Sequence, residues 1–406
     1  MGDPKDDVCI LGGGLVGSAM ALALDAQGFR VSLIDPVSAD VRGDPGFDGR
    51  AYAVAPGSAN LLKALGIWDA VEADAQPVTG ITVRDTCIGP VPPAMLHFDP
   101  AEGMDATLGS IVEDRHLRRV LLTKLAKSSV RHLDETVPGR VTRASTGAEV
   151  VAGDEVIGAS LVVACDGRRS ATARAAEIRY LGWSYGQTGL VSAIEHDLPH
   201  DGRAHQAFFP GGPFAVLPLT GNRSSLVWSE RDGEAARIKA LSDEAYLAEI
   251  ARRLDGRLGD IRPAGKRWAY PLGLSLAMDY ARPRLVVAGD AAHGVHPIAG
   301  QGMNMGLRDV AALTQVLAEA ARRGEDIGSV DVLRRYEQWR RFDATALALG
   351  MDALNRLFST GAGPAQALRN IGLGLVGGLG GARRLFMAEA SGRSGAVPRL
   401  LAGQAI

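Results

Sequence analysis

Short apolar runs and a helical pattern alternate at the start of the chain. Residues 8–11 are a continuous apolar run, an Ala- and Leu-rich segment follows to about residue 27, and residues 31–34 are again predominantly apolar. Short apolar runs bounded by turn residues are typical of strands buried on both faces of a parallel sheet. The pattern therefore predicts a β-α-β unit at the beginning of the chain.

Two further apolar runs, at residues 161–165 and 285–288, also end next to an acidic residue. Between them, from about residue 190 to residue 271, short strand-like segments are separated by Gly and Pro turns, which is typical of antiparallel strands. We therefore predict an α/β fold with a Rossmann-like, three-layer domain around a parallel sheet, an inserted antiparallel-sheet domain and C-terminal helices. The predicted boundaries are residues 1–80, 106–180 and 276–330 for the first domain, 81–105 and 181–275 for the second, and 331–406 for the C-terminal region.

The C-terminal region combines a helical stripe with a glycine-rich segment. Apolar residues at helical spacing predict a long amphipathic helix whose apolar face is formed by Val332, Tyr336, Trp339, Ala346, Leu349, Ala353 and Leu357. Residues 371–382 are uncharged and glycine-rich, and two arginines follow them. Two interpretations of this segment are open. It contacts a membrane surface or a lipid-presenting partner, or it is a packed closing segment, which we favour.

The loop after the first strand has the spacing of a dinucleotide fingerprint. Gly12 allows a tight turn, Gly14 lets the backbone approach a pyrophosphate, and Gly17 permits close packing of the helix on the strand. Asp35 ends the second strand, where its carboxylate can accept hydrogen bonds from a ribose. A second GxGxxG match, at residues 372–377, has neither a preceding strand pattern nor a closing acid. We therefore predict one dinucleotide site of this type.

Residues 289–309 form the most informative segment of the chain. An apolar strand pattern ends at Gly289 and Asp290, and a loop containing proline and glycine leads to a helix that begins near Met303. The start of a helix presents unpaired backbone N–H groups and the positive end of the helix dipole. Such a start suits a flat cofactor that gains negative charge on reduction. Together with the glycine fingerprint, it predicts a flavin site.

Charge and composition argue against several functions. The 44 basic and 46 acidic residues nearly cancel, and the sequence has no basic stripe with interleaved aromatic residues, so nucleic acid is not an expected partner. No apolar run approaches the ~20 residues that span a bilayer, and the acidic start MGDPKDD does not fit a signal peptide. Three cysteines, Cys9, Cys87 and Cys165, indicate a reducing compartment. We therefore expect a cytoplasmic protein.

His293 and His296 form an HxxH pair, for which a metal site and a structural role are the alternatives. No carboxylate or cysteine accompanies the pair at ligand spacing, so we predict no metal. For His296, a hydrogen bond to a substrate or a flavin is open, although a structural histidine with satisfied hydrogen bonds is favoured. The sequence suggests no Ser/His/Asp arrangement, and it identifies no catalytic side chain.

The glycine fingerprint, the Asp166-Gly167 (DG) segment and the Gly289-Asp290 (GD) segment together resemble the landmarks of the single-component flavin aromatic hydroxylases, the para-hydroxybenzoate hydroxylase superfamily. Four segments are similar to the ubiquinone-biosynthesis branch, which acts on polyprenylated phenols: DGRAYAVAPGSANLLKALGIWD, GPFAVLPLTGNRSSLVW, AGKRWAYPL and HPIAGQGMNMGLRDV. The resemblance extends from residue 8 to about residue 392. At one position the chain departs from it, because Ala173 stands where family members often have an arginine.

The resemblance implies a tightly but noncovalently bound FAD in the first domain and a transiently bound NADPH or NADH that reduces it. The inserted sheet would bind the substrate. The position of Arg50 in the chain, taken alone, is equally compatible with a phosphate contact and with a solvated loop charge. The cofactor-binding positions implied are Gly12, Gly14 and Gly17 at the pyrophosphate, Asp35 at the adenosine ribose, Arg50 and Arg115 along the FAD, Gly289 and Asp290 near the ribityl chain, Pro297, Gly300, Gly302, Met303 and Asn304 around the isoalloxazine ring, and Asp166 in the DG segment associated with nicotinamide binding.

By the same resemblance, the chain would be an FAD-dependent monooxygenase that uses NAD(P)H and dioxygen to hydroxylate a polyprenylated phenol in ubiquinone biosynthesis. The alternatives are a flavin-dependent isoprenoid reductase and a non-catalytic flavoprotein subunit of a biosynthetic complex. A ubiquinone-biosynthesis protein complex and peripheral contact with the inner face of the membrane are further expected associations. The ring position, the tail length, the choice between NADPH and NADH and the oligomeric state are open.

Overall fold

The computed structural model describes residues 6–86, 95–100, 108–359 and 396–406. The second GxGxxG match and the glycine-rich segment 371–382 lie outside these residues. The strands, in chain order, are β1 (Asp6–Leu11), β2 (Val31–Ile34), β3 (Ala51–Val54), β4 (Gln76–Pro77), β5 (Gly80–Asp85), β6 (Met95–Phe98), β7 (Ser110–Glu113), β8 (Arg131–Leu133), β9 (Pro138–Arg143), β10 (Ala148–Ala152), β11 (Glu155–Ala164), β12 (Tyr180–His196), β13 (Arg203–Phe209), β14 (Gly212–Leu219), β15 (Arg223–Arg231), β16 (Ile261–Ala277), β17 (Ala281–Arg282), β18 (Leu285–Val287) and β19 (His293–Gly294). The helices are α1 (Leu15–Asp25), α2 (Ala39–Arg42), α3 (Pro56–Ala64), α4 (Trp68–Val71), α5 (Asp114–Leu125), α6 (Ala171–Ala175), α7 (Asp232–Lys239), α8 (Asp243–Leu254), α9 (Gln301–Arg322) and α10 (Val330–Ser359).

The first sheet is built from the apolar runs around the dinucleotide pattern. Its central strands are parallel in the order β18-β11-β1-β2-β8, and β17, β10 and β9 add antiparallel pairs. Ile10 of β1 lies opposite Val163 of β11, which lies opposite Val286 of β18, and all three side chains are fully buried. Burial on both faces explains the continuous apolar runs of these strands. The predicted parallel sheet is confirmed.

The second sheet is antiparallel except at one pair of strands. Its order is β19-β16-β12-β15-β14-β13-β5-β6, and β5 pairs in parallel with β13. One face packs against α7 and α8, where Phe214, Trp228 and Ile250 are buried. The other face, which includes Leu219, packs against Ile111 of β7 in the small β3-β7-β4 sheet. The antiparallel sheet inserted between parts of the first sheet is confirmed, whereas the numbered domain boundaries stay a prediction.

Helix α9 lies across the first sheet and packs against α1 and α10. It is buried along most of its length, including the run from Asn304 to Thr314. Small residues such as Gly306 allow this close packing, since a Cβ atom there would lie 2.5 Å from a methyl group of Val16 in α1. Even so, none of the helices in the described part of the chain has an apolar stretch long enough to cross a membrane.

Helix α10 follows its predicted face only in its first half. Val332 and Tyr336 are buried, and Tyr336 donates a hydrogen bond to the carbonyl oxygen of Val287 (3.1 Å). Trp339 is half-buried and packs against the core. In the second half the prediction is wrong. Ala346, Leu349 and Ala353 are exposed and Leu357 is half-buried, whereas the buried positions include Ala348, Met351 and Asn355. Small and polar side chains face the protein in this part, so an apolar periodicity does not identify the buried face.

Candidate cofactor-binding and active site

The predicted site residues converge on one edge of the first sheet. Strands β2, β1, β11 and β18 are neighbours and parallel, so their carboxyl ends lie side by side. The residues that follow these ends are Asp35, Gly12, Asp166 and the Gly289-Asp290 pair. In open α/β sheets, ligands bind in the crevice outside the carboxyl ends of the strands. The structure therefore brings four separate sequence motifs to the edge where such a crevice forms.

The glycine loop between β1 and α1 is closely packed except at Gly14. Gly12 has φ +102°, and a Cβ atom there would lie 2.4 Å from the carbonyl oxygen of Cys165. A Cβ atom on Gly17 would lie 1.9 Å from the carbonyl oxygen of Gly12. Gly14 precedes α1 without a side-chain cap, and nothing lies within 4 Å of its added Cβ position. The loop thus offers backbone N–H groups beside open space, which fits a pyrophosphate.

Asp35 and two unpredicted arginines surround this loop. The Asp35 carboxylate accepts hydrogen bonds from the N–H groups of Gly13 (2.5 Å) and Val37 (2.8 Å). Arg42 donates to the carbonyl oxygen of Gly13, and burial lowers the pKa of its guanidinium despite the nearby Asp35. Together with Arg118 of α5, it lines a cavity of about 200 Å³ at the loop. Guanidinium groups match phosphate oxygens, so these arginines strengthen the fit to an anionic dinucleotide.

Neither arginine was among the predicted site residues, and only Arg118 belongs to a pattern that the sequence shows. Arg118 lies four residues after Asp114 on α5, and its Nε donates to that carboxylate (2.6 Å), a spacing typical of a helical ion pair. Arg42 belongs to no recognisable motif. It reaches the glycine loop because the chain between Asp35 and α2 turns back over it.

Arg50 and Arg115 both form ion pairs with carboxylates. The Nη2 atom of Arg50 is 2.6 Å from Asp48 and 3.1 Å from Asp114, and its guanidinium stacks 4.9 Å above the Trp268 ring. Arg115 donates through Nε to Glu113 (2.7 Å). Both side chains are about 30% exposed, so they retain accessible surface. Their contact with a cofactor stays a prediction.

The GD segment is fixed by a buried aspartate at the end of the motif. Asp309 of α9 is 0% exposed and accepts hydrogen bonds from the Gly289 N–H (2.9 Å), from Nε2 of His293 (2.6 Å) and from Nε of Arg340 (2.8 Å). Burial by itself raises the pKa of Asp309, but the charges of its partners outweigh burial and hold that pKa below its ordinary value. This network joins the GD segment, α9 and α10, and it leaves Asp290 exposed at the sheet edge.

The start of α9 presents the donor-rich end that the sequence predicts, two residues earlier than expected. The helix begins at Gln301 and not near Met303, after Gly300 with φ +61°. No side chain caps it and its first turn has no acidic residue. Asn304 connects it to β3, because its amide donates to the Ala53 carbonyl (2.8 Å) and its Oδ1 accepts from the Ala55 N–H (3.0 Å). The helix start is therefore rigidly placed.

The remaining residues predicted around this helix start lie in the loop before it and in its first turn. Pro297 is half-buried in the preceding loop, and Gly302 and Met303 are half-buried in the first turn. Nothing lies within 4 Å of the Cβ position of Gly302. Their contact with a cofactor ring stays a prediction, which this partial exposure permits.

The two histidines of the HxxH pair have different environments. His293 is bound to Asp309, whereas both ring nitrogens of His296 are buried without a hydrogen-bond partner among the described residues. Its ring meets that of Tyr185 edge-on at 5.3 Å, and burial, aided by Arg168, lowers the pKa of His296 to about 4. The expectation of a structurally satisfied His296 is therefore not met. In the described ranges, no cluster of three or more His, Cys, Asp or Glu side chains forms a metal site.

The DG segment packs beneath the loop of the HxxH pair. Asp166 accepts a hydrogen bond from the Thr172 N–H (3.2 Å), and Arg168 donates to the carbonyl oxygen of Val295 (3.0 Å). Ala173, at the position where an arginine is common in the family, is fully buried. The neighbouring Arg174 is exposed and donates to the backbone carbonyls of Ser170 and Arg169.

Known proteins resemble this chain both in sequence and in fold. The family model described as the FAD binding domain matches residues 5–348. Ubiquinone hydroxylase UbiL of Rhodospirillum rubrum is 42% identical, covering 96% of this chain and 90% of its own length. The 3-demethoxyubiquinol 3-hydroxylase of Escherichia coli is 35% identical, covering 92% of this chain and 95% of its own length. The crystal structure of p-nitrophenol 4-monooxygenase from Pseudomonas putida shares the fold, with a TM-score of 0.78 over 97% of this chain and 100% of its own, at 20% identity.

Proposed function

The chain belongs to the family of FAD-dependent hydroxylases of ubiquinone biosynthesis, and from this membership we propose that it hydroxylates the aromatic ring of a polyprenylated phenol. NADPH or NADH supplies the electrons and dioxygen supplies the oxygen atom. One observation carries the proposal. The glycine loop, Asp35, Asp166 and the GD segment share the carboxyl edge of four adjacent strands, and Asp309 joins the GD segment to α9.

The residues at this edge suit an FAD molecule laid along it. Gly12, Gly14 and Gly17 would accommodate the pyrophosphate, with Arg42 and Arg118 facing its charge. In this proposal Asp35 binds the adenosine ribose, Asp290 the ribityl chain, and Gly300, Gly302 and Met303 border the ring. FAD, when bound, supplies the redox chemistry that takes up electrons from a nicotinamide and activates dioxygen.

The chain itself contributes electrostatics and shielding. The start of α9 favours negative charge next to it by roughly 0.3–1 kcal/mol, and by more where water is excluded. The face of the second sheet opposite α7 and α8 carries apolar side chains, among them Leu219, Ala193 and Ala264. These side chains are covered by the small sheet, so we propose that the uncovered remainder of this face forms the substrate wall and keeps water from the reacting centre. Each methylene of a prenyl tail buried there adds about 0.8 kcal/mol to binding.

The experiment that tests the function follows oxygen into the product. The FAD-loaded protein is reduced anaerobically by NADPH with a short-chain prenylphenol, and oxygen-18 gas is then admitted. The proposal expects one labelled oxygen atom in the phenol by mass spectrometry. Product formation without dioxygen would instead establish the isoprenoid reductase. Reoxidation with unlabelled phenol, at any chain length tested, would contradict the hydroxylase.

We further propose that the protein works in the cytoplasm, at the inner face of the membrane and in contact with a ubiquinone-biosynthesis complex. The support is chemical, because a polyprenylated substrate partitions into lipid. Vesicle flotation of the full chain and of a variant lacking residues 372–381 checks the membrane contact. Equal flotation of two folded, FAD-loaded proteins would remove this segment from the proposal.

A further inference from the structure

A second cleft lies on the α8 side of the antiparallel sheet, away from the candidate active site. We call it the outer cleft. Strands β5, β13 and β14 form its floor, and the end of α8 with the turn after it forms its wall. Along β14, Phe214 and Val216 face the cleft, whereas Leu217 and Leu219 belong to the apolar cluster of the opposite face. The cleft contains about 410 Å³ of empty space that is partly open to solvent.

The outer cleft collects more positive than negative charge. Arg84 of β5 and Arg257 of the turn line it. The nearest carboxylate to Arg84 is that of Asp255, at a distance of 4.0 Å and with 76% of its side chain exposed. The side chain of Arg257 forms neither an ion pair nor a hydrogen bond with any of the described residues, and its backbone N–H donates to the carbonyl oxygen of Leu254 (3.4 Å). Arg253, by contrast, is neutralised by Glu249 at 2.9 Å.

One more arginine near the cleft, Arg203, already forms an ion pair. Arg203 lies 2.6 Å from Asp99, so it adds little uncompensated charge. The excess therefore comes from Arg84 and Arg257. Burial lowers the pKa of Arg84, and the positive charge of the neighbouring Arg257 lowers it in the same direction.

Polar donors inside the cleft also lack partners. The Nδ1 atom of His205 and the Nε atom of Arg84 are buried, and neither has a hydrogen-bond partner among the described residues. Burial, followed by the charges of Arg257, Arg203 and Arg84, lowers the pKa of His205 to about 4. Buried donors without partners are costly, and an acceptor that carries negative charge would satisfy them.

We propose that the outer cleft binds a phosphate group whose bearer also carries an apolar portion. The forked guanidinium groups of Arg84 and Arg257 match phosphate oxygens. Phe214 and Val216 of the floor and Leu254 of the wall provide apolar side chains in the same cleft, so an amphiphilic phosphate ester satisfies both parts of the cleft. This site is separate from the proposed hydroxylation, and it stands or falls without it.

The test follows the imidazole of His205 in the FAD-loaded full chain. The protein is labelled with carbon-13 histidine, which gives eight histidine signals, and His205→Asn identifies the relevant one. Three probes are added: dihexanoylphosphatidylglycerol below its micelle concentration, inorganic phosphate, and dihexanoylphosphatidylcholine. Bound phosphate should raise the pKa of His205 from about 4 toward its ordinary value of 6.5.

The proposal expects the phosphatidylglycerol to bind about tenfold more tightly than inorganic phosphate, since burial of about two methylene groups suffices for that ratio. The zwitterionic phosphatidylcholine should bind less tightly than phosphatidylglycerol. Equal affinity for inorganic phosphate would overturn the apolar part of the proposal. A His205 pKa that none of the three probes changes would overturn it entirely.

Variants separate the cleft from non-specific charge. Arg257→Gln removes an exposed side chain, so the fold should survive, and it should weaken phosphatidylglycerol binding several-fold. The double variant with Arg84→Gln should abolish the effect on His205. Arg262→Gln is the matched control, because Arg262 is an exposed arginine of β16 that pairs with Asp197 away from the cleft. Equal loss in the control would contradict a specific site.

Discussion

Two regions of the protein concentrate charge, and they differ in whether that charge is paired. At the carboxyl edge of the parallel strands, Asp309 is completely buried and binds Gly289, His293 and Arg340. In the outer cleft, the buried Nδ1 atom of His205 has no hydrogen-bond partner and the exposed side chain of Arg257 has no ion pair in the described part of the chain. Buried charge is tolerated only with compensation. The first region is therefore complete within the chain, whereas the second gains compensation from a ligand.

The largest expected effect comes from breaking the complete region. Asp309→Asn removes one of the two carboxylates that pair with the buried Arg340, the other being Asp343, and it removes the charge that His293 binds, so we expect a loss of about 3 kcal/mol in the free energy of unfolding. Urea unfolding of the FAD-loaded protein measures it. Asp331→Asn is the control, because Asp331 is exposed and lies 3.6 Å from Arg334 at the surface. A loss below about 1 kcal/mol for Asp309→Asn would contradict the role of this network.

A second change breaks the cofactor edge through packing. Gly17→Ala would place a methyl group 1.9 Å from the carbonyl oxygen of Gly12, so the loop must shift. We expect a cost of about 1–3 kcal/mol and loss of FAD from the purified protein, measured by flavin absorbance. Gly350→Ala is the matched control in α10, since nothing lies within 4 Å of its Cβ position. It should retain FAD and gain roughly 0.5–1 kcal/mol.

The third prediction uses pH to compare His296 near the edge with His205 in the outer cleft. Each has a folded-state pKa of about 4, against an ordinary value of 6.5. Because the folded state binds fewer protons in this window, the stability that each contributes is complete above pH 6.5 and is lost as pH falls toward 4. Within this window, each histidine should lower the free energy of unfolding by about 1.4 kcal/mol for each unit by which the pH falls.

Unfolding free energies measured at pH 7, 6 and 5 test this expectation. His296→Gln and His205→Gln should each flatten the acid side of the curve, and the double variant should flatten it further. Curves that run parallel to that of the unchanged protein would show that these histidines do not titrate with lowered pKa values.

The smallest effect sharpens the outer cleft alone. Arg257→Gln removes one repelling charge, so the pKa of His205 should rise by about 0.5 without any ligand. NMR titration of the histidine signals measures it. Arg262→Gln should leave His205 unchanged, and a rise of the same size in that control would mean that the effect depends on net charge and not on the cleft.

Much of the fold follows from local patterns in the sequence. The apolar runs locate β1, β2, β11 and β18 because strands buried on both faces have no polar alternation. The predicted face of α10 fails in its second half because the small Ala348 and the polar Asn355 are buried there beside Met351, whereas Leu349 is exposed. The spacing of hydrophobic residues along a helix does not reveal a buried face that is made partly of small and polar side chains.

The candidate site divides in the same way. Motifs with fixed local spacing identify Gly12, Asp35 and Asp290, since each motif ends a strand of the same sheet. Arg42, Arg340 and the outer cleft could not be predicted, because their partners come from distant parts of the chain. The cleft joins Arg84 to Arg257 only when β5 pairs with β13.

The pairing of β1 with β11, and of β11 with β18, sets the order in which a newly made chain can mature. Ile10 meets Val163, and Val163 meets Val286. At roughly 5–20 residues per second, the first strand waits about 15 to 60 s for the last of these partners to leave the ribosome. During that time its apolar faces depend on chaperones or on partial structure. Cofactor loading is therefore an event that follows synthesis of most of the chain.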